Sequence, residues 1–185
     1  MRFVLGGSDA RFVDAYERYH RAVFVYCRRR VSADRVEDVV ADTFLTAWRK
    51  IDQVPDGDET LPWLYGVAYR VLMHQWRGTS RRQRLEDRLS SIGVDSPSSP
   101  EEYIVSTYES ERVLEATSKL KTTDQEILRL SLWEELSHGE VASVLNLNVE
   151  AVRKRLSRAL QNLTKEFNRQ DGRRSQSPAA QKGGV

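Results

Sequence analysis

The chain has 185 residues, of which 39% are hydrophobic and 30% charged, with 29 Lys and Arg against 27 Asp and Glu. That length holds one ordinary core or two small ones, and so surface-rich a composition favours two compact modules. The lone Cys27 excludes an internal disulfide and a cysteine-rich zinc site; no apolar run nears the ~20 residues of a membrane span, and "MRFVLGGSDARF" is too weakly apolar for a signal peptide, so the expected location is the cytoplasm.

The first block holds three helical patterns. Phe12, Tyr16, Tyr19, Val23 and Cys27 recur at spacings of three and four, as do Val36, Val40, Ala47 and Ile51 in "DRVEDVVADTFLTAWRKI". "PWLYGVAYRVLMHQWR" begins at Pro62, which suits a first helical turn, and repeats apolar residues at 64, 67, 68, 71 and 72. Three such helices enclose a small core. The other side of the third carries Tyr65, Tyr69, Met73 and Trp76 at i, i+4, i+8 and i+11. Core packing and base stacking are both open for that stripe, because Arg70, Arg77, Arg81, Arg82 and Arg84 beside it form a phosphate-binding edge of the kind used on single-stranded nucleic acid.

"SSIGVDSPSSPEE", residues 90 to 102, keeps no helical period and reads as a linker. Two capping boxes then mark helix starts, Thr123 with Glu126 and Ser137 with Glu140. The helix from Ser137 stops near "NLN", and Asn148 caps the next one, "VEAVRKRLSRAL". That segment is apolar at 149, 152, 156 and 159 and basic at Arg153, Lys154, Arg155 and Arg158. A basic helix face alone is usually solvated surface; behind a capped helix and a short turn, it is what a DNA-reading helix-turn-helix presents to the major groove. After Phe167 the chain has too little apolar surface to offset its ordering entropy, so the tail should be disordered. No β-like alternation of any length appears, and the expected fold is all-α: two small helical domains joined by a flexible linker.

Chemistry of its own is not indicated. His20, His74 and His138 are scattered, no metal-ligand spacing exists, and Cys27 has no evident base, so neither enzyme activity nor a metal or other cofactor is expected. A stand-alone helix-turn-helix regulator is the alternative. It would need a phospho-acceptor or ligand domain, and residues 12 to 88 have neither a Gly-rich phosphate loop nor alternating strands.

Taken in order, "FVDAYERYHRAVFVYCRRRV", "VEDVVADTFLTAWRKI", "PWLYGVAYRVLMHQWR" and "TTDQEILRLSLWEELSHGEVASVLNLNVEAVRKRLSRALQNL" resemble the extracytoplasmic-function sigma factors of bacterial RNA polymerase. The resemblance implies a second sigma domain over 12–88, a linker over 89–104, a fourth sigma domain over 105–168 and a tail over 169–185. It implies core RNA polymerase as partner, through the largest-subunit coiled coil and the flap, with Asp38, Asp42, Phe44, Leu45 and Trp48 gripping the coiled coil. It also implies promoter DNA, single-stranded at −10 on Tyr65, Tyr69, Arg70, Trp76, Arg77 and Arg81 with the loop "QVPDGDETL", and double-stranded at −35 on Glu150, Arg153, Lys154, Arg155, Ser157 and Arg158. An anti-sigma factor is a possible further partner; membrane insertion is not implied. Arg70 stands where many relatives have a small polar residue, often Asn, and Lys154 replaces a small residue, so the promoter sequence does not carry over.

Overall fold

The computed structural model describes residues 7–89 and 116–175, and every regular element among them is helical. The helices are α1 (Gly7–Arg28), α2 (Ala33–Arg49), α3 (Thr60–Leu89), α4 (Thr122–Leu132), α5 (His138–Leu145) and α6 (Val149–Ser175), with single 3-10 turns at Ile51–Gln53 and Gly57–Glu59. The segment expected to link the domains lies outside the described residues. The C-terminal helix runs to Ser175, several residues into the 169–185 stretch expected to lack structure. Local ion pairs suit that extension: Glu166 meets Arg169 at 3.3 Å one turn on, and also Lys119 at 3.3 Å.

In the N-terminal unit the periodic residues do face inward. Val23 and Cys27 of α1, Val36, Val40 and Ala47 of α2, and Leu64, Ala68 and Leu72 of α3 are all buried. Phe12 and Tyr19 lie only partly buried against this core, and Tyr16 is exposed at the surface. In the C-terminal unit Val141, Ala142 and Leu145 of α5 pack with Ile127 and Leu130 of α4 and Val152 of α6.

These two cores are continuous. One cluster of buried residues runs from Val23 and Phe44 through Leu64 and Tyr65 to Ile127, Val144 and Val152. Helix α3 is the shared wall, covered by α1 and α2 on one side and by α5 on the other. That explains a helix with apolar residues on both of its faces, since only a helix covered all round stabilises such a pattern. Gly66 lies against α5: a Cβ placed there would sit 3.6 Å from the Val144 Cα, so a side chain longer than Ala would meet the backbone of α5.

The helix starts follow capping chemistry with one correction. Ser137 and Glu140 form the complete box: the Glu140 N–H donates to Ser137 Oγ at 3.3 Å and the Ser137 N–H to Glu140 Oε2 at 2.7 Å. Asn148 Oδ1 accepts from the Ala151 N–H at 2.6 Å, and Asn146 takes the left-handed conformation at φ 52° that ends α5. Thr123 and Glu126 form no box, because Lys121 is the N-cap of α4 and makes no side-chain cap. Glu126 instead turns inward, where a buried cation holds it more strongly than one backbone N–H would.

Candidate nucleic-acid and polymerase interfaces

The turn between α5 and α6 fixes which face α6 shows to solvent. Val152 and Ala159 are buried and Leu156 is half-buried, which rolls Glu150, Arg153, Lys154, Ser157 and Arg158 outward. Lys154 pairs loosely with Glu150 at 3.7 Å along the helix, with both side chains about two-thirds exposed (65% and 63%), so water and salt readily displace the contact. Arg155, expected on the flank of that arc toward phosphate, is engaged by the protein itself. Its Nε donates to Asp124 Oδ1 of α4 at 2.8 Å, and only 33% of its side chain is exposed. It ties the first turn of α4 to the recognition-type helix.

The loop expected at −10 is held firmly against α1. Arg11 Nη2 donates to the Val54 carbonyl at 3.0 Å and to Asp56 at 2.9 Å, while the Tyr19 hydroxyl reaches the Gly57 carbonyl at 3.4 Å. Thr60 Oγ1 donates back to the Pro55 carbonyl at 2.8 Å. Gly57 adopts φ 69°, a conformation that favours glycine, at the tip. An open cleft of about 80 Å³ lies between loop and helix, lined by Arg11, Arg18, Tyr19, Asp56 and Gly57 among others.

The −10 set on α3 separates. Tyr65 is 3% exposed and stacks on Tyr26 with centroids 4.7 Å apart at 24°, so it is core and not a free platform. Tyr69 and Trp76 are half-buried, whereas Arg70 and Arg77 are exposed; the side chain of Arg81 lies outside the described residues. Burial raises the phenol pKa of Tyr65 well above its ordinary value, and Glu134 reinforces the shift; burial raises that of Tyr69 as well.

The polymerase set on α2 separates too. Asp38 and Asp42 are exposed, and Leu45 and Trp48 stand 45% and 43% exposed beside them. Phe44 does not join that surface: it is 3% exposed and meets Tyr16 edge-on at 4.8 Å and Phe12 at 6.4 Å. Its place one turn from Val40 puts it on the inward stripe, and its neighbour Leu45 takes the outer position.

Missing from the sequence reading was a buried charge cluster. Arg30 Nε donates to both oxygens of Glu126 at 3.0 and 3.1 Å, and Arg30 Nη1 donates to the Tyr26 carbonyl at 2.8 Å and to Glu134 at 3.1 Å. The Tyr26 hydroxyl donates to Glu126 at 3.0 Å. Arg29 lies 3.4 Å from Glu134 and 5.5 Å over the Trp133 ring. A signal was present: Glu126 occupies a position of α4 next to the apolar Ile127, Leu128 and Leu130.

Residues 15–82 match the Sigma-70 region 2 family and residues 110–163 the Sigma-70 region 4 family. The RNA polymerase sigma factor CnrH of Cupriavidus metallidurans is 33% identical over 132 residues, which cover 67% of this chain and 69% of that protein. The chain belongs to the extracytoplasmic-function sigma factors. This sigma factor is also 33% identical over 153 residues to RfaY of Xanthomonas campestris pv. campestris, a probable RNA polymerase sigma factor, and there it spans 80% of its own length and 38% of the relative. The structure of CnrH in complex with the cytosolic domain of CnrY superposes with a TM-score of 0.58 at 26% identity, over 85% of this chain and 87% of that one. The sigma factor RpoE of Bartonella quintana, solved with the anti-sigma factor NepR, shares the fold at a TM-score of 0.66 and 20% identity, over 85% and 96% of the two chains. Sigma factors direct core RNA polymerase to promoters, and both regions that do so are present here. No described helix is long and apolar enough to cross a membrane.

Proposed function

We propose that this sigma factor acts in the cytoplasm, without chemistry of its own, by dividing three contacts among three surfaces. Exposed Asp38 and Asp42, with Leu45 and Trp48, take the polymerase coiled coil. The cleft under the Gly57 loop, with Tyr69, Arg70, Trp76 and Arg77, takes unpaired −10 bases, whose unstacking costs a few kcal/mol that pocket and backbone contacts must return. The outer arc of α6 reads −35. An anti-sigma factor, as NepR is for RpoE of Bartonella quintana, is the expected antagonist.

The observation that carries this reading is the orientation of α6. Its apolar side is locked by Val152 and Ala159, its start by Asn148, and Arg153, Ser157 and Arg158 project together from the opposite side. An Arg that pairs with guanine O6 and N7 discriminates by about 1–3 kcal/mol. Holoenzyme formed with Arg153→Ala or Arg158→Ala is therefore expected to lose preference at one or two positions in a selection from randomised −35 sequences. Unaltered preference in both variants would reduce α6 to a phosphate anchor.

A further inference from the structure

The buried cluster joins the two units, since Tyr26 lies in α1 and Arg30 just after it, while Glu126 lies in α4 and Glu134 just after it. The Arg30 side chain is 0% exposed and those of Glu126 and Glu134 are 3% and 4% exposed. Against it, Tyr65 is sealed on Tyr26, and Gly66 meets α5. In this arrangement the −10 and −35 surfaces belong to one compact body. A folded chain of this length has a radius of gyration of roughly 16 Å. The −10 and −35 elements are ~25 base pairs apart, which is roughly 85 Å of duplex at 3.4 Å per step. The closed chain cannot span them.

We propose that Arg30, Glu126, Glu134 and Tyr26 form an ionic latch that holds the sigma factor closed and that must open when core polymerase binds. The inference rests on the promoter assignment above for its consequence, but the latch itself rests on geometry alone. Its composition suits reversibility. A buried ion pair recovers on opening much of the desolvation it suffers on closing, so it specifies one closed geometry without the net adhesion of an apolar interface of equal area. One donor of Arg30, Nη2, is buried without a partner, which leaves the closed state short of full satisfaction. Removing a single partner is a different matter, because an uncompensated buried Arg30 strongly disfavours the closed form.

The test uses the full chain with a donor and acceptor dye on cysteines placed at the exposed Ser32 and Ser143. Cys27 stays in place; burial pushes its thiol up to about 12, which leaves it unlabelled at neutral pH. Wild type is expected to show high transfer, falling when core polymerase is added. Glu126→Ala should show low transfer without polymerase at unchanged helicity. Gly66→Leu should do the same by wedging α3 from α5 while leaving Arg30, Glu126 and Glu134 in place. Arg30→Met with Glu126→Met should restore high transfer, since Glu134 keeps Arg29 as partner. Affinity for core falls by the fraction of molecules that are open, so Glu126→Ala should bind core at least tenfold more tightly than wild type. High transfer in both Glu126→Ala and Gly66→Leu would overturn the latch. Opening with no gain in core affinity would overturn its role in holoenzyme assembly. The dye readout contains no DNA, so neither result depends on the −10 or −35 assignments.

Discussion

Replacing Tyr65 by Ala separates a packing role from a stacking role. The ring is 3% exposed and stacked on Tyr26. A buried aromatic removes about 150–250 Å² from water, worth roughly 4–6 kcal/mol at about 25 cal/mol per Å², and truncations of this kind cost about 3–5 kcal/mol in practice. Taking about 4 kcal/mol, and about 2–4 °C per kcal/mol for a protein of this size, Tyr65→Ala should lower the thermal midpoint by roughly 8–16 °C. Tyr65→Phe keeps the ring and loses only the hydroxyl that interacts with Glu134, so it should cost about 1 kcal/mol, or about 2–4 °C. Thermal unfolding followed by circular dichroism measures both, with binding of a single-stranded −10 oligonucleotide to holoenzyme measured in parallel. A Tyr65→Ala midpoint within about 2 °C of wild type, together with weakened oligonucleotide binding, would refute the core assignment.

Four further outcomes are expected. Charge reversal at exposed Asp38 and Asp42 should weaken holoenzyme assembly at least tenfold in a competition assay and leave the thermal midpoint unchanged. Arg155→Ala should lower stability by about 1 kcal/mol through the lost contact with Asp124, and leave −35 base preference as it was in the randomised selection. Ser137→Ala should cost about 1 kcal/mol by opening the capping box at the start of α5, measured by denaturant unfolding. Stability should fall in alkali: Cys27 is raised by burial from 9.0 to about 12, and Tyr26 by burial and Glu126 to well above 10.0. Each is therefore bound to its proton in the folded chain at pH values where the unfolded chain has lost it, so stability present below pH 9 is lost progressively above it. Cys27→Ala should remove the early part of that loss in thermal melts between pH 8 and pH 11.

What the sequence disclosed and what it hid follow from the range of the interactions. Helix identity, the Ser137 box, the Asn148 cap and the outward arc of α6 depend on residues within four positions of one another, and period and capping chemistry suffice to read them. The inward face of Phe44 was legible only in part, because Phe44, Leu45 and Trp48 fall within one turn and a shift of a single position exchanges core for surface. Glu126 was misread because a Thr-x-x-Glu spacing satisfies the local rule, while the Arg30 that captures it lies 96 residues away. Tyr65 was hidden for the same reason: its partners are Tyr26 of α1 and Glu134 beyond α4, and the pattern of α3 alone leaves stacking and packing equally open.

Arg155 illustrates how a basic face divides its work. Four cations occur between residues 153 and 158, and Asp124 neutralises one of them at 2.8 Å. That contact braces the rotation of α6 already set by burial of Val152 and Ala159, because a flank contact to α4 resists rolling. A roll of one residue, about 100°, would replace Arg153 and Ser157 on the outer arc by their neighbours and destroy any base register. If Arg153 and Arg158 read bases as proposed, the contact that occupies Arg155 helps to hold them in register, and their base preference should survive Arg155→Ala.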